Sequence, residues 1–209
     1  MNFHDDILAP EQNELLVALG PIAAGAGFFL GGGTAVALHL GHRRSIDFDW
    51  FTAEKLEDPL ALAASLRSAD IPLEDTRVAS GTLHGMVRGV RISFFAYHYP
   101  CLSTPVTWAE LGFTLASLDD LACMKLAAVA QRGSRKDFAD IYAICLKYKP
   151  LQELLQLYRR KYGTNDISHV LVSLGYFDDA DEEAALAMIW DVSWEEMKRK
   201  IVMWVKGMA

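Results

Sequence analysis

The chain has 209 residues, 52% of them hydrophobic, and a formal net charge of -7. That length can bury the core of one domain, or of one domain with a helical appendage, and the acidic balance gives no overall basic field, so any contact with nucleic acid would need a local patch. No apolar run approaches the roughly 18 residues of a membrane span, the N-terminus lacks a charged-then-apolar leader, and Cys101, Cys123 and Cys145 lie apart in apolar sequence without a CxxC pair. The expectation is a cytoplasmic protein with no membrane partner, no disulfide frame and no zinc site, its cysteines buried as thiols.

Apolar residues recur at helical spacing from Pro10 to Ala24, with Pro10 near the start and Gly20-Pro21 weakening the end. Phe28 to Leu30 reads as a short buried strand. After Gly31-Gly32-Gly33, Thr34 to Leu40 is apolar enough for a helix packed on a sheet, closed by Gly41. Ser45 to Phe51 alternates polar and apolar residues as a strand does. Leu56 to Ala69 reads as a helix. Leu73 to Ser80, Leu83 to Arg88 and Val90 to Tyr97 have strand character with turn residues between them, an antiparallel meander continuing the sheet; Pro100 and Pro105 close that region. Helical patterns then occupy Leu118 to Gln131, Lys136 to Tyr148, Leu151 to Tyr162, Ile167 to Leu174 and Trp194 to Val205. The predicted fold class is α+β: a head over residues 1–115 and a helical C-terminal region over 116–209, with no internal repeat.

Gly31-Gly32-Gly33-Thr34 falls between a strand and a helix, where glycines let the backbone approach a phosphate and the helix N-terminus favours its charge. Thr34 either supplies a hydroxyl donor or caps the helix. A glycine turn of this kind is equally a tight connection. Asp47 and Asp49 are two apart on the next strand, so both carboxylates leave one face about 6.6 Å apart at their alpha carbons, with Ile46, Phe48 and Trp50 on the other. Such a pair repels unless a cation neutralises it, and oxygen ligands on one edge suit magnesium, which takes its remaining ligands from water and substrate phosphates. The plainer reading is a solvent-facing edge; turn and pair together favour a site.

Lys125 lies in the apolar stretch Leu121 to Ala128, where a buried ammonium requires an anion, either a triphosphate or a neighbouring carboxylate, unless it snorkels at the helix edge. Ser134 is placed to cap the following helix, and Asp137 and Asp140 either favour its dipole or reach Lys125 and fix its orientation. Arg43 and Arg44 could clamp a phosphate or form a solvated loop; His39 reads as a packing residue, and His42 is open.

Gly32-Gly33-Thr34-Ala35, His42 to Asp49, Lys125 and Arg135 to Tyr142 resemble the motifs of the AbiEii/AbiGii toxin family, within the polymerase-beta-like nucleotidyltransferases, over about Phe28 to Tyr148. The resemblance implies a nucleotidyltransferase head, catalytic roles for Asp47, Asp49, Lys125 and Asp137, nucleotide binding by Gly32, Gly33, Thr34, Arg43, Ser45 and Lys125, and Mg2+ or Mn2+ held by Asp47 and Asp49. It further implies a nucleoside triphosphate as substrate, an RNA (tRNA) or protein hydroxyl as acceptor, and a cognate antitoxin, since known members include toxins of phage-defence and toxin-antitoxin systems. One departure stands out. Many such enzymes carry a third acid on a strand following the Asp-x-Asp strand, and here Ser93 occupies that place, which leaves a noncatalytic nucleotide-binding protein as the competing expectation. Arg159-Arg160-Lys161 is the clear basic cluster, read as a solvated helix face.

Overall fold

The computed structural model describes residues 3–207. Helix α1 (Pro10–Gly25) opens with Pro10 in its first turn, where a missing N–H costs nothing, while Gln12 turns back to accept the Ala9 amide at 2.9 Å. It runs through Pro21 to Gly25. Gly20 belongs to the buried face, where a Cβ would overlap the Phe113 ring.

Strand β1 (Phe29–Leu30) leads into α2 (Gly32–Leu40), which ends on Gly41 in the left-handed region at φ 64°. Next come β2 (Phe48–Thr52), α3 (Pro59–Ser68), β3 (Glu74–Ala79), β4 (Thr82–Val87), β5 (Val90–Ala96), β6 (Val106–Trp108) and β7 (Phe113–Leu115). These form a seven-stranded sheet among the described residues, in the order β3-β4-β5-β2-β1-β7-β6. The meander of β3, β4 and β5 is antiparallel as expected, but it joins the rest through a parallel pairing of β5 with β2. β1 lies antiparallel to β2 and parallel to β7, so the sheet is mixed.

Two features of the head depart from the sequence reading. The strand expected from Ser45 begins only at Phe48, because the Thr34 hydroxyl takes the carbonyl of Asp47 and the Gln12 side chain takes that of Ser45, at 3.1 Å. Those carbonyls are satisfied by side chains rather than by a neighbouring strand, and Ile46, expected on the apolar face, is 69% exposed. The hairpin of β6 and β7 went unpredicted, since three-residue strands are too short to display a period.

Helices α4 (Leu118–Gln131) and α5 (Arg135–Lys147) pack against each other and against α2; α6 (Leu151–Tyr162), α7 (Ser168–Ser173), α8 (Asp178–Glu182) and α9 (Trp194–Lys206) complete the chain. β7 ends three residues before α4 begins, yet one hydrophobic core passes from Leu16 of α1 through Trp50 of β2 to Phe138 of α5. Between α8 and α9 the chain returns to the head as a strap. The Arg44 N–H donates to Ala187 O at 2.9 Å, the Ile189 N–H donates to His42 O at 2.9 Å, and Arg43 bridges Met188.

Some local expectations need correction. Cys101 is exposed, whereas Cys123 is buried and Cys145 partly so; all three are free thiols. Lys161 is not on a solvated face: it is 3% exposed and donates to Asp120 at 2.7 Å and to Pro100 O at 2.8 Å, leaving Arg159 and Arg160 at the surface. No helix among the described residues is long and apolar enough to cross a membrane.

Candidate active site

The site begins with two glycines that the packing requires. Gly32 sits at φ 63°, and a Cβ there would overlap Asp49 Oδ2; a Cβ on Gly33 would overlap the Arg43 guanidinium. The glycines therefore let α2 start directly against the carboxylate strand and against its arginine neighbour. The first i→i−4 bond of α2 runs from the Ala35 N–H to Gly31 O at 3.3 Å, so the amides of Gly32, Gly33 and Thr34 precede the intrahelical ladder at the positive end of the helix. Thr34 does not cap with its hydroxyl. Its Oγ1 lies 2.8 Å from Ser45 Oγ and donates to Asp47 O, which fixes the segment entering β2.

These residues open onto a cavity of about 510 Å3. Gly32, Gly33, Thr34, Arg43, Ser45, Asp47, Asp49 and Lys125 all line it, so the structure gathers nearly every candidate from sequence at one place. Asp137 is the exception. It is wholly buried behind the wall, with Lys125 Nζ donating to its Oδ1 at 2.9 Å and Arg132 donating to both its oxygens at 2.8 and 3.0 Å. Ser134 stands at the helix N-cap, but its hydroxyl donates to Asp137 Oδ2 at 2.7 Å instead of accepting an amide.

Asp140, one turn on, is equally buried. It accepts from His42 Nε2 at 2.8 Å, from Arg43 through Nε at 2.7 Å and Nη2 at 3.0 Å, and from Lys125 at 2.7 Å. Burial alone would raise the carboxyls of Asp137 and Asp140, but the surrounding cations outweigh it: Lys125 and Arg132 hold Asp137 below the ordinary range, and Arg43 and Lys125 hold Asp140 well below it. Burial likewise would lower Lys125, and the two carboxylates outweigh it and raise its ammonium. The anion that Lys125 requires is thus supplied within the protein, and Arg43 is a bidentate anchor at 4% exposure rather than a solvated loop residue. His42 is a buried member of the same network, its imidazole lowered by burial against the pull of Asp140. His39 packs under the helix, lowered by burial and bonded to Ala116 O at 3.0 Å.

Asp49 is under the opposite influence. Burial raises its carboxyl, Lys125 opposes that, and Asp47 reinforces it. Two same-face carboxylates at a helix N-terminus, one of them destabilised as an anion, fit a hard divalent cation that draws its other ligands from water and phosphate. Among the described residues no group of three or more His, Cys, Asp or Glu is placed to hold a metal ion by itself. Ser93 pairs in register with Asp49 across the parallel β2–β5 ladder and is 3% exposed.

Sequence reasoning missed the opposite wall of the cavity. Phe51, Phe95, Tyr97, Tyr99, Tyr158 and Tyr162 line it, with the Phe51 and Phe95 rings stacked at 5.1 Å and the hydroxyls of Tyr97 and Tyr162 2.9 Å apart. The signal was period two: Phe51 follows Asp47 and Asp49 on one strand face, as Tyr97 follows Ser93 and Phe95. The contribution of Tyr158 and Tyr162, from distant α6, has no such local signal. Arg132 and Lys136 add cations at the rim.

A glycine turn against an Asp-x-Asp strand, in a mixed sheet backed by helices, defines the nucleotidyltransferase fold. The chain matches the family described as "Nucleotidyl transferase AbiEii toxin, Type IV TA system" over residues 14–204, and it belongs to that family. It is 37% identical to protein aq_aa25 of Aquifex aeolicus (strain VF5) over 198 residues, which cover 93% of this chain and 96% of that one. Among solved structures, it is similar to a Helicobacter pylori protein of the same fold, with TM-score 0.60 and 18% identity, covering 95% of both chains. It is also similar to MenT4, a nucleotidyltransferase toxin of Mycobacterium tuberculosis H37Rv, with TM-score 0.58 and 13% identity over 92% of this chain and 82% of that one.

Proposed function

We propose that this protein transfers a nucleotide from a nucleoside triphosphate to a hydroxyl of an RNA, such as tRNA, or of a protein, with magnesium or manganese held by Asp47 and Asp49. The observation that carries this reading is the contact of the Asp49 carboxylate with Gly32 at the open N-terminus of α2, which brings anion-binding amides and cation-binding oxygens to one point of the cavity. An ion held there by Asp47 and Asp49 would supply Lewis-acid stabilisation of phosphoryl oxygens.

The chain's own groups do the rest. The amides of Gly32, Gly33 and Thr34 receive phosphate oxygens, and Lys125, Arg132 and Lys136 stabilise the charge that builds on the departing pyrophosphate. Because Lys125 is locked between Asp137 and Asp140, it presents its ammonium in one orientation, with no ordering to be done when substrate arrives. The aromatic wall offers the base a stacking surface. The acceptor oxygen then attacks the α-phosphorus in line as the bond to pyrophosphate breaks.

The test is incubation with α-labelled ribonucleoside triphosphates, Mg2+ or Mn2+, and total bacterial RNA. Label is expected on RNA or on a protein with the wild type, falling to background with Asp47→Ala or Asp49→Ala. Nucleotide binding with no transfer to any acceptor would instead support the noncatalytic nucleotide-binding reading. Membership of a toxin family motivates the companion proposal of a growth-arresting toxin restrained by a cognate antitoxin. Induced expression of the wild type should slow bacterial growth and Asp47→Ala should relieve it; equal growth of both strains would remove the toxin role.

A further inference from the structure

One buried ion pair has no part in the phosphate end of the cavity. Lys161 of α6 is 3% exposed and donates to Asp120 Oδ1 at 2.7 Å and to Pro100 O at 2.8 Å. Asp120, on the first turn of α4, also receives the Leu102 amide at 2.8 Å, the Ser103 amide at 3.2 Å and the Ser117 hydroxyl at 2.7 Å. Burying such a pair costs desolvation, and apolar side chains would hold two helices together as well. What the pair adds is a fixed geometry: it fastens the segment after β5 and the end of α6 to α4. Those two segments carry the tyrosines of the cavity wall.

Tyr97 and Tyr162 both line the cavity, and their hydroxyls are 2.9 Å apart. Lys161 Nζ lies over the Tyr97 ring, 5.0 Å from its centre, and Tyr162 is the next residue along the chain. Burial pushes the ionisation of both phenols upward, so both remain hydroxyls at neutral pH. Their mutual bond uses one O–H and leaves the pair with one donor and free lone pairs for a ligand. The distances suit a nucleotide. Ser93 is level with Asp49 and Phe95 with Phe51, and Tyr97, whose amide donates to Thr52 O at 2.7 Å, continues the run. Four residues of extended chain, about 13 Å, thus separate the level of Asp49 from Tyr97, the order of the span from an α-phosphate to the far edge of its base. The Phe51 and Phe95 rings lie between.

We propose that the Tyr97–Tyr162 hydroxyl pair selects the base of the nucleotide by hydrogen bonding to its polar edge, and that Lys161, anchored by Asp120, is the residue that positions the pair. This rests on the nucleotide reading above. A base whose edge matches the pair is bonded, and one whose edge does not leaves hydroxyls and base unpaired away from water.

The experiment titrates the protein, in the presence of Mg2+, with each of the four ribonucleoside triphosphates and with inorganic tripolyphosphate in a calorimeter. The wild type is expected to bind its preferred triphosphate about tenfold or more tightly than the weakest of the four. Tyr97→Phe and Tyr162→Phe keep the rings and remove one hydroxyl each. Each should narrow that spread to about twofold while affinity for tripolyphosphate stays at the wild-type value. Lys161→Met should narrow the spread in the same way, which a role in stability alone would not do. Should that variant fail to fold, Lys161→Met combined with Asp120→Asn removes both charges together and takes its place. If the two phenylalanine variants discriminate like the wild type, or the wild type binds all four triphosphates equally, the base-selecting pair is overturned and the nucleotide site stands. Discrimination lost in the phenylalanine variants but kept without Lys161 overturns the positioning role. If the wild type binds neither the triphosphates nor tripolyphosphate, the nucleotide reading itself falls.

Discussion

Two pairs of aspartates lie on either side of Lys125, and their charges are met in contrasting ways. Asp137 and Asp140 are fully buried on α5 and receive every donor within reach: a lysine, two arginines, a histidine and a serine. Asp47 and Asp49 stand at the cavity wall, close to each other and to a glycine, and burial and mutual repulsion make Asp49 harder to ionise. The first pair is satisfied within the chain; in the proposed function the second is met by a metal ion. One carboxylate chemistry thus serves as scaffold in one place and, in the proposed function, as binding site in the other, and the distinction lies in the partners rather than in the residue type.

The contrast is broken most severely by Asp140→Ala, which leaves Arg43, His42 and Lys125 buried without their shared anion. A loss of about 3–5 kcal/mol is expected in denaturant unfolding. Unchanged stability would mean that the network is not a scaffold. Asp137→Asn is expected to cost about 1–3 kcal/mol, because Lys125 keeps Asp140 and the exposed side of Arg132 turns to water.

Acid separates the pairs by sign. For Asp137 and Asp140, whose folded values are lowered, stabilisation is complete above the unfolded carboxyl value of about 3.9 and is lost as pH falls through the folded values. Asp49, raised in the fold, takes up its proton earlier than in the unfolded chain, so its protonation favours the fold. Melting curves from neutral to acid pH should therefore show a stability loss confined to the acid end, and Asp140→Asn should flatten it. The smallest expected effect has the opposite direction. Asp49→Asn should raise the stability of the metal-free protein by about 1 kcal/mol while removing the further stabilisation that Mg2+ gives the wild type. If Asp49→Asn destabilises the protein, or still responds to Mg2+, the second pair does not hold the metal.

Much of this site could be read from short spacings. The Gly-Gly-Thr turn, the i,i+2 aspartates and the lysine in an apolar helix are all local, and each carries its chemistry in its immediate neighbours. What stayed hidden is long-range. That Asp137 and Asp140 could reach Lys125 was legible, but not that Arg43 and His42, from a loop far away in sequence, share Asp140 with it. The start of β2 was misplaced for the same reason, since Gln12 and Thr34, from two different helices, capture the backbone that would otherwise have extended the strand. The six-ring wall draws on three separate elements and the segment after β5, and the short β6–β7 hairpin offers no period to detect.

The strap over residues 187–190 sets an order on assembly. Its hydrogen bonds to His42 and Arg44 hold the loop that orients Arg43, yet it is translated long after the aspartates it helps to position. A ribosome that has already released the glycine turn, the carboxylate strand and both helices of the ion-pair network still has the final fastening to synthesise. Chains interrupted before residue 187 consequently carry the recognisable motifs without the strap that bonds to the His42–Arg44 loop.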